Sequence, residues 1–325
     1  MTTRPPVFIG GFRSGTTLLI NYLGLHPRLS AIYETKFLVD LLRVTRLLDE
    51  EAGRGEQELA FLRWRTGRPD VTRVGAVELM IEQAVADIRL TQQVLNGRAA
   101  DGKAAYERYA LGTNHILWTA SEALDAIGPF IGAVRTRGAA TALFLHMLAS
   151  LTLALFEIHA GREGKREWAN KTPEILRFQP ELRRMLGCVR FIHLIRDGRD
   201  VVQSSARLNW WSVEAGSRAW KTFIEEARAH AAHCPQDYLE LRYEDLVTDH
   251  VGTLQRVFNF LEMDGNPEEI VATQERLAPG STSRREAEAR IGQWRSAMSA
   301  DDRRIFKAIA NELLISLGYA GDAAW

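Results

Sequence analysis

The chain has 325 residues, enough for one large domain or two small ones. It is 46% hydrophobic and 25% charged, an ordinary balance for a soluble globular protein. Lysine plus arginine equals aspartate plus glutamate at 41 each, so a zero net charge argues against a general binder of nucleic acid or other polyanions and leaves room for a local basic pocket.

Two cysteines, Cys188 and Cys234, make neither a disulfide framework nor a zinc site. With no CxxC pair, a reducing compartment fits, and both are expected as buried small apolar filler. The opening MTTRPP lacks a charged-then-apolar signal pattern, so a cytoplasmic location is expected.

The first element sets the theme. Val7, Phe8 and Ile9 are a short apolar run of the kind a buried strand shows. Gly10, Gly11 and Gly15 follow, with Phe12, Arg13 and Ser14 among them, and Thr16 to Leu23 then suit a helix. A glycine-rich turn feeding a helix N-terminus is an anion site, because free N–H groups and the helix dipole both face the bound group. A nucleotide-triphosphate loop reads G-x-x-x-x-G-K-[ST]. Here Gly15 is followed by Thr16 and Thr17, and the one cation is Arg13, so the loop suits a phosphate or sulfate held in another way. The plain alternative is a glycine-rich strand–helix turn without a ligand.

Leu29 to Tyr33 reads as a second strand, ending in Glu34. In a parallel βαβ unit both strands point the same way, which would set Glu34 beside the loop as a base or as a partner for Arg13 or Lys36. Residues 37–165 read as mostly helical, with helical spacing at Phe37–Leu48 and Ala76–Leu95. The stretch from 51 to 73 reads as a linker with a short helix, and Asn96 to Gly102 as a turn-rich break. Trp64, Trp118 and His115 are candidates for acceptor recognition, with packing as the simpler role. The stretch 138–156 carries no charged side chain and is just long enough to span a membrane. His146, Ser150 and Thr152 interrupt it and no second span follows, so it is read as a buried helix.

The segment EWANKTP places Lys171 after a turn and before Pro173, which is suited to open the next helix. Phe191 to Ile195 is another buried strand, ending in the charged turn Arg196-Asp197-Gly198-Arg199-Asp200. Asp200 is a candidate helix cap, Arg196 and Ser204 are placed to contact a second phosphate, and His193 reads as a core strand histidine. A helix over Gly216–Cys234 precedes a strand at 237–247 that runs into Tyr243-Glu244-Asp245-Leu246. Thr253–Leu261 is amphipathic, and residues 278–292 read as a polar lid. The last helix has Ser299 as its cap, Ile305, Phe306, Ile309 and Leu313 as its apolar face, and Gly318 at its end.

These residues resemble the PAPS-dependent sulfotransferases. That family's 5′-phosphosulfate loop reads P-[KR]-S-G-T-T, matched by Phe12-Arg13-Ser14-Gly15-Thr16-Thr17 with phenylalanine for proline. Its 3′-phosphate motif, an arginine eight residues before a serine, is matched by Arg196 and Ser204. Tyr243-Glu244-Asp245-Leu246 looks like the strand end that touches adenine. Ile291-Gly292-Gln293-Trp294-Arg295, preceded by Arg290, is similar to the G-x-W element of the closing loop. The look is nearest to the tyrosylprotein-type and bacterial branch, through Arg13, Glu34, Asn170-Lys171-Thr172-Pro173 and Arg196-Asp197-Gly198-Arg199.

The resemblance implies an α/β, P-loop-like three-layer sandwich with a central, mostly parallel sheet. It implies one sulfotransferase-like domain over 1–325, with a helical insertion at about 37–165 covering the acceptor site. It implies PAPS as donor, PAP as product and no metal. Donor contacts would come from Gly11, Phe12, Arg13, Ser14, Gly15, Thr16, Thr17, Arg196, Ser204, Tyr243, Arg290, Gly292 and Trp294. Glu34 would be the general base, with His115 the fallback, and Arg13 and Lys171 would stabilise the transferring group and leaving phosphate. The acceptor stays open among small metabolites, glycolipids, carbohydrates and tyrosine peptides, with no nucleic-acid partner, no membrane span and an open oligomeric state. The alternatives are a P-loop small-molecule kinase, against which the missing lysine after Gly15 argues, and a non-catalytic nucleotide-binding protein.

Overall fold

In the computed structural model the described residues are 4–49, 53–95, 116–137, 141–208, 211–277 and 287–325. The protein is α/β. Its strands are β1 (Val7–Gly10), β2 (Leu29–Tyr33), β3 (Glu167–Lys171), β4 (Arg190–Ile195) and β5 (Tyr238–Arg242), in the sheet order β2-β3-β1-β4-β5. Pairing of β1 with β4 and of β4 with β5 is parallel, with Phe8 opposite Phe191 and Leu194 opposite Leu241. The expected parallel sheet is therefore present. By internal packing the chain divides into two compact units.

The first unit comprises Met1–Pro6, Arg28–Asn170 and Pro180–Val189. Its helices are α2 (Lys36–Leu47), α3 (Arg54–Thr66), α4 (Arg73–Leu95), α5 (Ala120–Arg137), α6 (Thr141–Arg162) and α7 (Gln179–Leu186, its first residue apart), α1 belonging to the second unit. The helical expectation for 37–165 holds over these stretches. The segment read as a linker with a short helix holds the 13-residue helix α3, which buries Leu59 and Leu62. Asn96–Gly102 and His115 lie outside the described residues.

Within α6, residues Ala142–Arg162 are long and apolar enough to cross a membrane by length and composition, and half of that window is buried. A buried ion network ties α2 to its neighbours. Glu58 pairs with Arg43 and with Arg46 (3.4 Å), and Arg46 also donates to both oxygens of Glu181 at 2.9 and 3.0 Å. Arg43 and Glu58 are almost fully buried, and each charge offsets the desolvation of the other.

Strand β3 corrects the reading of residues 167–171 as a turn. The polar Glu167, Asn170 and Lys171 conceal the strand in the sequence, yet all are buried. Glu167 accepts from Arg28 at 2.5 Å through Oε1, and Asn170 donates to Thr35 Oγ1 at 3.0 Å and to the Ile32 carbonyl. Cys188 is exposed and Cys234 is half-buried, so neither is the core filler expected from composition.

The second unit comprises Val7–Pro27, Lys171–Gln179 and Arg190–Trp325. It holds α1 (Thr16–Gly24), a 3₁₀ turn at Ile175–Phe178, α8 (Gly198–Ala206), α9 (Val213–Ala231), α10 (Tyr243–Thr248), α11 (His250–Leu261), α12 (Pro267–Leu277), α13 (Trp294–Ala297) and α14 (Ala300–Ser316). Ser299 caps α14 in a reciprocal capping box with Asp302, as its sequence indicated. Val201, Val202, Trp220, Ile224, Phe306 and Leu314 form a core that fastens α8, α9 and α14 together. The strand read over 237–247 stops at Arg242, and Tyr243 opens α10.

His193 is a core strand histidine. Its Nδ1 lies 2.5 Å from the Tyr238 hydroxyl, with Glu240 at 3.8 Å. Burial holds it down at about 4, with Glu240 opposing and Arg228 adding to the shift. An unfolded imidazole takes up its proton below roughly pH 6.5. Between those values the unfolded chain binds the extra proton, so this residue makes stability fall as pH drops from about 6.5 toward 4. A His193→Gln chain should show a flatter decline of Tm across that window. An unchanged slope would remove His193 as its source.

Candidate anion and nucleotide site

The site is built in the second unit, where β1 and β4 end. After Gly10 the chain turns through Gly11, Phe12, Arg13 and Ser14 into α1, whose N-cap is Gly15 in the left-handed region at φ 80°. A Cβ there would meet the Tyr243 ring at 2.5 Å, so glycine is needed both for the backbone and for the close approach of tyrosine. Arg13 is also left-handed, at φ 52°. A non-glycine residue held there is strained, and such strain gathers at functional sites. Ser14 turns its hydroxyl back to donate to the Phe12 carbonyl at 2.9 Å. The Phe12 ring stacks on Trp211 at 4.4 Å, which gives the residue standing in place of proline a packing role.

The end of β3 is stitched to this loop. Thr172 N–H donates to the Ile9 carbonyl and Gly11 N–H donates to the Pro173 carbonyl, each at 3.1 Å. Lys171 precedes them, 1% exposed. The Asn-Lys-Thr-Pro motif thus reaches the loop through backbone bonds, and its lysine is buried next to it in sequence.

The second basic turn meets the first. Arg13 Nε donates to Ser204 Oγ at 3.1 Å, so the loop cation and the α8 serine, 191 residues apart, are in contact. Arg196 is 4% exposed and donates to the Arg13 carbonyl at 3.3 Å and to the Arg290 carbonyl at 2.5 Å. Its guanidinium lies 4.4 Å from the centre of the Tyr243 ring, a cation–π arrangement. Its Nε is buried with no hydrogen-bond partner among the described residues. Tyr243 donates its hydroxyl to the Ala287 carbonyl at 2.7 Å, and burial raises its pKa.

Asp200 is not the cap of α8. That role belongs to Asp197, whose carboxylate accepts from Arg199 N–H at 3.0 Å. Asp200 instead reaches the segment after residue 286. It accepts from Gly292 N–H at 2.7 Å and from Trp294 N–H at 2.9 Å, with Arg196 at 3.7 Å. Burial raises its pKa, opposed by Arg196 and by the two N–H donors. A carboxylate three residues into a helix resembles a cap in sequence, and only the fold reveals its other partners. Arg290 is exposed and Gly292 is half-buried, while the Trp294 indole is buried with Arg199 at 3.7 Å over its face and Trp325 beside it.

Glu34 belongs to the first unit. It follows β2 and lines a recess there with Phe37, Asp87, Ile88, Thr91 and Trp118. Trp118 packs against Phe37, Phe156 and His159, so its role is structural as well as lining. Trp64 stands 43% exposed.

A glycine loop, two arginines and a serine are brought together at the ends of parallel strands in a P-loop-like α/β protein. A sequence model of the sulfotransferase family matches residues 5–267, and the chain belongs to that family. Among solved structures it is similar to the sulfotransferase domain of the olefin synthase of Synechococcus PCC 7002, at 18% identity over 94% of each chain and a TM-score of 0.48. It is similar to sulfotransferase STF9 of Mycobacterium avium at 11% identity, covering 97% of this chain and 77% of that one, with a TM-score of 0.48. Mouse sulfotransferase SULT7A1 complexed with PAP is similar at 16% identity, over 49% of this chain and 70% of that one, with a TM-score of 0.33. No match was found among curated proteins.

Replacing Asp200 by alanine strands the N–H groups of Gly292 and Trp294. A buried donor left without its acceptor costs about 1–3 kcal/mol. The variant should unfold at lower urea, and amide hydrogens of residues 287–298 should exchange faster. An unchanged urea midpoint with unchanged exchange would show that Asp200 does not hold this segment.

Proposed function

We propose that this sulfotransferase takes its sulfuryl group from 3′-phosphoadenosine 5′-phosphosulfate and passes it to an acceptor hydroxyl. The observation that carries the choice of donor is Arg196: a buried guanidinium over the Tyr243 ring, with a nitrogen that has no partner among the described residues. A buried polar atom of that kind is costly unless a ligand satisfies it. Ser204 is bonded to Arg13, whose carbonyl Arg196 binds, so a second phosphate has Arg196 and Ser204 at hand as donors. Charge-assisted bonds of this type are strong and geometrically selective. A donor lacking the 3′-phosphate leaves them unused.

The 5′-phosphosulfate belongs at Gly11–Thr17, where the N-terminus of α1 and the Arg13 side chain favour negative charge. In the reaction the acceptor oxygen forms a bond to sulfur as the bond from sulfur to the 5′-phosphate oxygen breaks. By analogy with phosphoryl transfer, the transition state is loose and in line, and charge grows on the leaving phosphate. Arg13, Lys171 and the N-terminus of α1 stabilise that charge. Glu34 takes the proton of the acceptor hydroxyl, a step of the general-base kind. Support for Glu34 comes from its place after β2, the position of the base in the branch the sequence resembles, and from the partly apolar recess that it lines.

The donor assignment is tested by thermal stabilisation with PAP, ADP and ATP–Mg²⁺. A ligand at about 100 times its Kd stabilises by about 2.7 kcal/mol, a readily seen shift. PAP should shift the protein well beyond ADP, and Arg196→Gln should erase that preference. A larger shift by ATP–Mg²⁺ would replace this reading with a kinase.

Removing the base should leave the nucleotide untouched. Glu34→Gln should lower turnover by about 10²- to 10⁴-fold, the usual weight of a general base. Its PAP-induced shift should match the wild type. Full turnover in this variant would move the base elsewhere.

A further inference from the structure

The start of α2 has no side-chain cap from its own N-cap residue. Thr35 is the N-cap residue, but its side chain makes no capping bond to the helix. Its hydroxyl instead accepts from Asn170 Nδ2 at 3.0 Å, and the same amide donates to the Ile32 carbonyl at 3.4 Å. The first turn of α2 holds no acidic residue either. A helix start has backbone N–H groups with no partner inside the helix, and a carboxylate is the acceptor that suits them best.

That carboxylate comes from another helix. Asp87, on α4, accepts a hydrogen bond from the backbone N–H of Phe37. Phe37 is three residues beyond Glu34, and α4 packs along α2. The corner between β2 and α2 is therefore held at two points. Asn170 grips Ile32 and Thr35 from β3, and Asp87 grips Phe37 from α4. Glu34 lies inside the span so held. Glu34 and Asp87 also line one recess, where Phe37, Ile88 and Trp118 supply apolar wall.

We infer that Asp87 is a positioning residue for the sulfuryl-transfer reaction: by capping α2 across the helix pair it fixes the backbone that presents Glu34. The inference rests on the reading of Glu34 as the base. Its electrostatic setting agrees with the geometry. Burial pushes Asp87 up to about 6, Lys36 and the Phe37 N–H pull it back, and Glu34 adds to the rise. A second carboxylate set against Glu34 is costly in a partly apolar recess unless the bond it makes is needed. A base displaced by about 1 Å can lose on the order of 10²-fold in rate, which is the scale on which such a cap acts.

Three readouts on the full chain test this. Amide hydrogen exchange follows the peptide containing Phe37. PAP release from PAPS in the presence of 4-nitrophenol counts transfer to the phenol and to water alike. PAP-induced thermal stabilisation follows the nucleotide site. Asp87→Ser, whose hydroxyl is too short to reach, should expose the Phe37 amide to exchange and lower kcat by roughly ten- to a hundredfold. Its PAP shift should be unchanged. Asp87→Asn keeps an oxygen acceptor and should restore both protection and kcat to within a few-fold of wild type. Should the serine variant fail to fold, Asp87→Glu, which keeps the charge and misplaces the acceptor by one methylene, should lose kcat in the same way.

Wild-type kcat in the serine or glutamate variant overturns the proposal, as does a fully protected Phe37 amide in the serine variant. Parallel loss of kcat and of PAP affinity also overturns it, since that pattern is general destabilisation. Glu34→Gln is measured beside them. If it keeps wild-type PAP release, the assignment of the base fails, and Asp87 with it as a positioning residue. A loss in Glu34→Gln together with full kcat in the Asp87 variants sinks the Asp87 proposal alone.

Discussion

The second unit depends on the placement of one buried cation. Arg196 stands at the end of β4, where the backbone leaves the sheet, and it carries its charge into a region with little water. Such a charge is tolerated only when its surroundings answer it. The answer comes from far-apart segments: the carbonyls of Arg13 and Arg290, the Asp200 carboxylate and the face of Tyr243. Trp220 donates its indole N–H to the Arg196 carbonyl, which fixes the backbone of the same residue. These contacts with Arg196 draw the loop after β1, α8, the start of α10 and the segment around residue 290 to one place.

Asp200 extends that logic. By accepting two backbone N–H groups at residues 292 and 294, it turns the segment leading into α13 into part of the Arg196 surroundings. Glycine at 15 allows the tyrosine ring to lie against the loop, and the Arg13–Ser204 bond closes the ring of contacts. The first unit uses charge differently. Its ion network at Arg43, Arg46, Glu58 and Glu181 satisfies its own members and locks helices together. The corner carrying Glu34 is held by an amide and a carboxylate that both act on backbone or on a neighbouring hydroxyl.

Much of this was legible in the chain. Apolar runs marked β1, β2 and β4 because buried parallel strands are apolar on both faces. Gly15 before two threonines marked the helix start, and Ser299 marked the last cap, because turns and caps are local chemistry. The charged turn at Arg196 after an apolar strand marked a second strand–turn–helix unit, and Ser204 of that unit is in contact with Arg13 of the first. Residues with long-range partners were not legible. Strand β3 is concealed because its buried Glu167, Asn170 and Lys171 look like turn residues until their partners are known. Asp200 looks like a cap in sequence because Gly292, its partner in the fold, is 92 residues away.

By itself the sequence determined the α/β class, the glycine-rich strand–helix loop and the presence of an early arginine motif and a later one. Those features are written in local propensity and in the chemistry of glycine, arginine and hydroxyl side chains at fixed spacing. Tertiary structure alone decided which polar residues are buried and who satisfies them. Arg13 meets Ser204 across 191 positions, and Asp87 supplies from α4 the cap that Thr35 does not provide. The physical reason is that hydrogen bonds and ion pairs act over a few ångströms in space, whatever the distance along the chain.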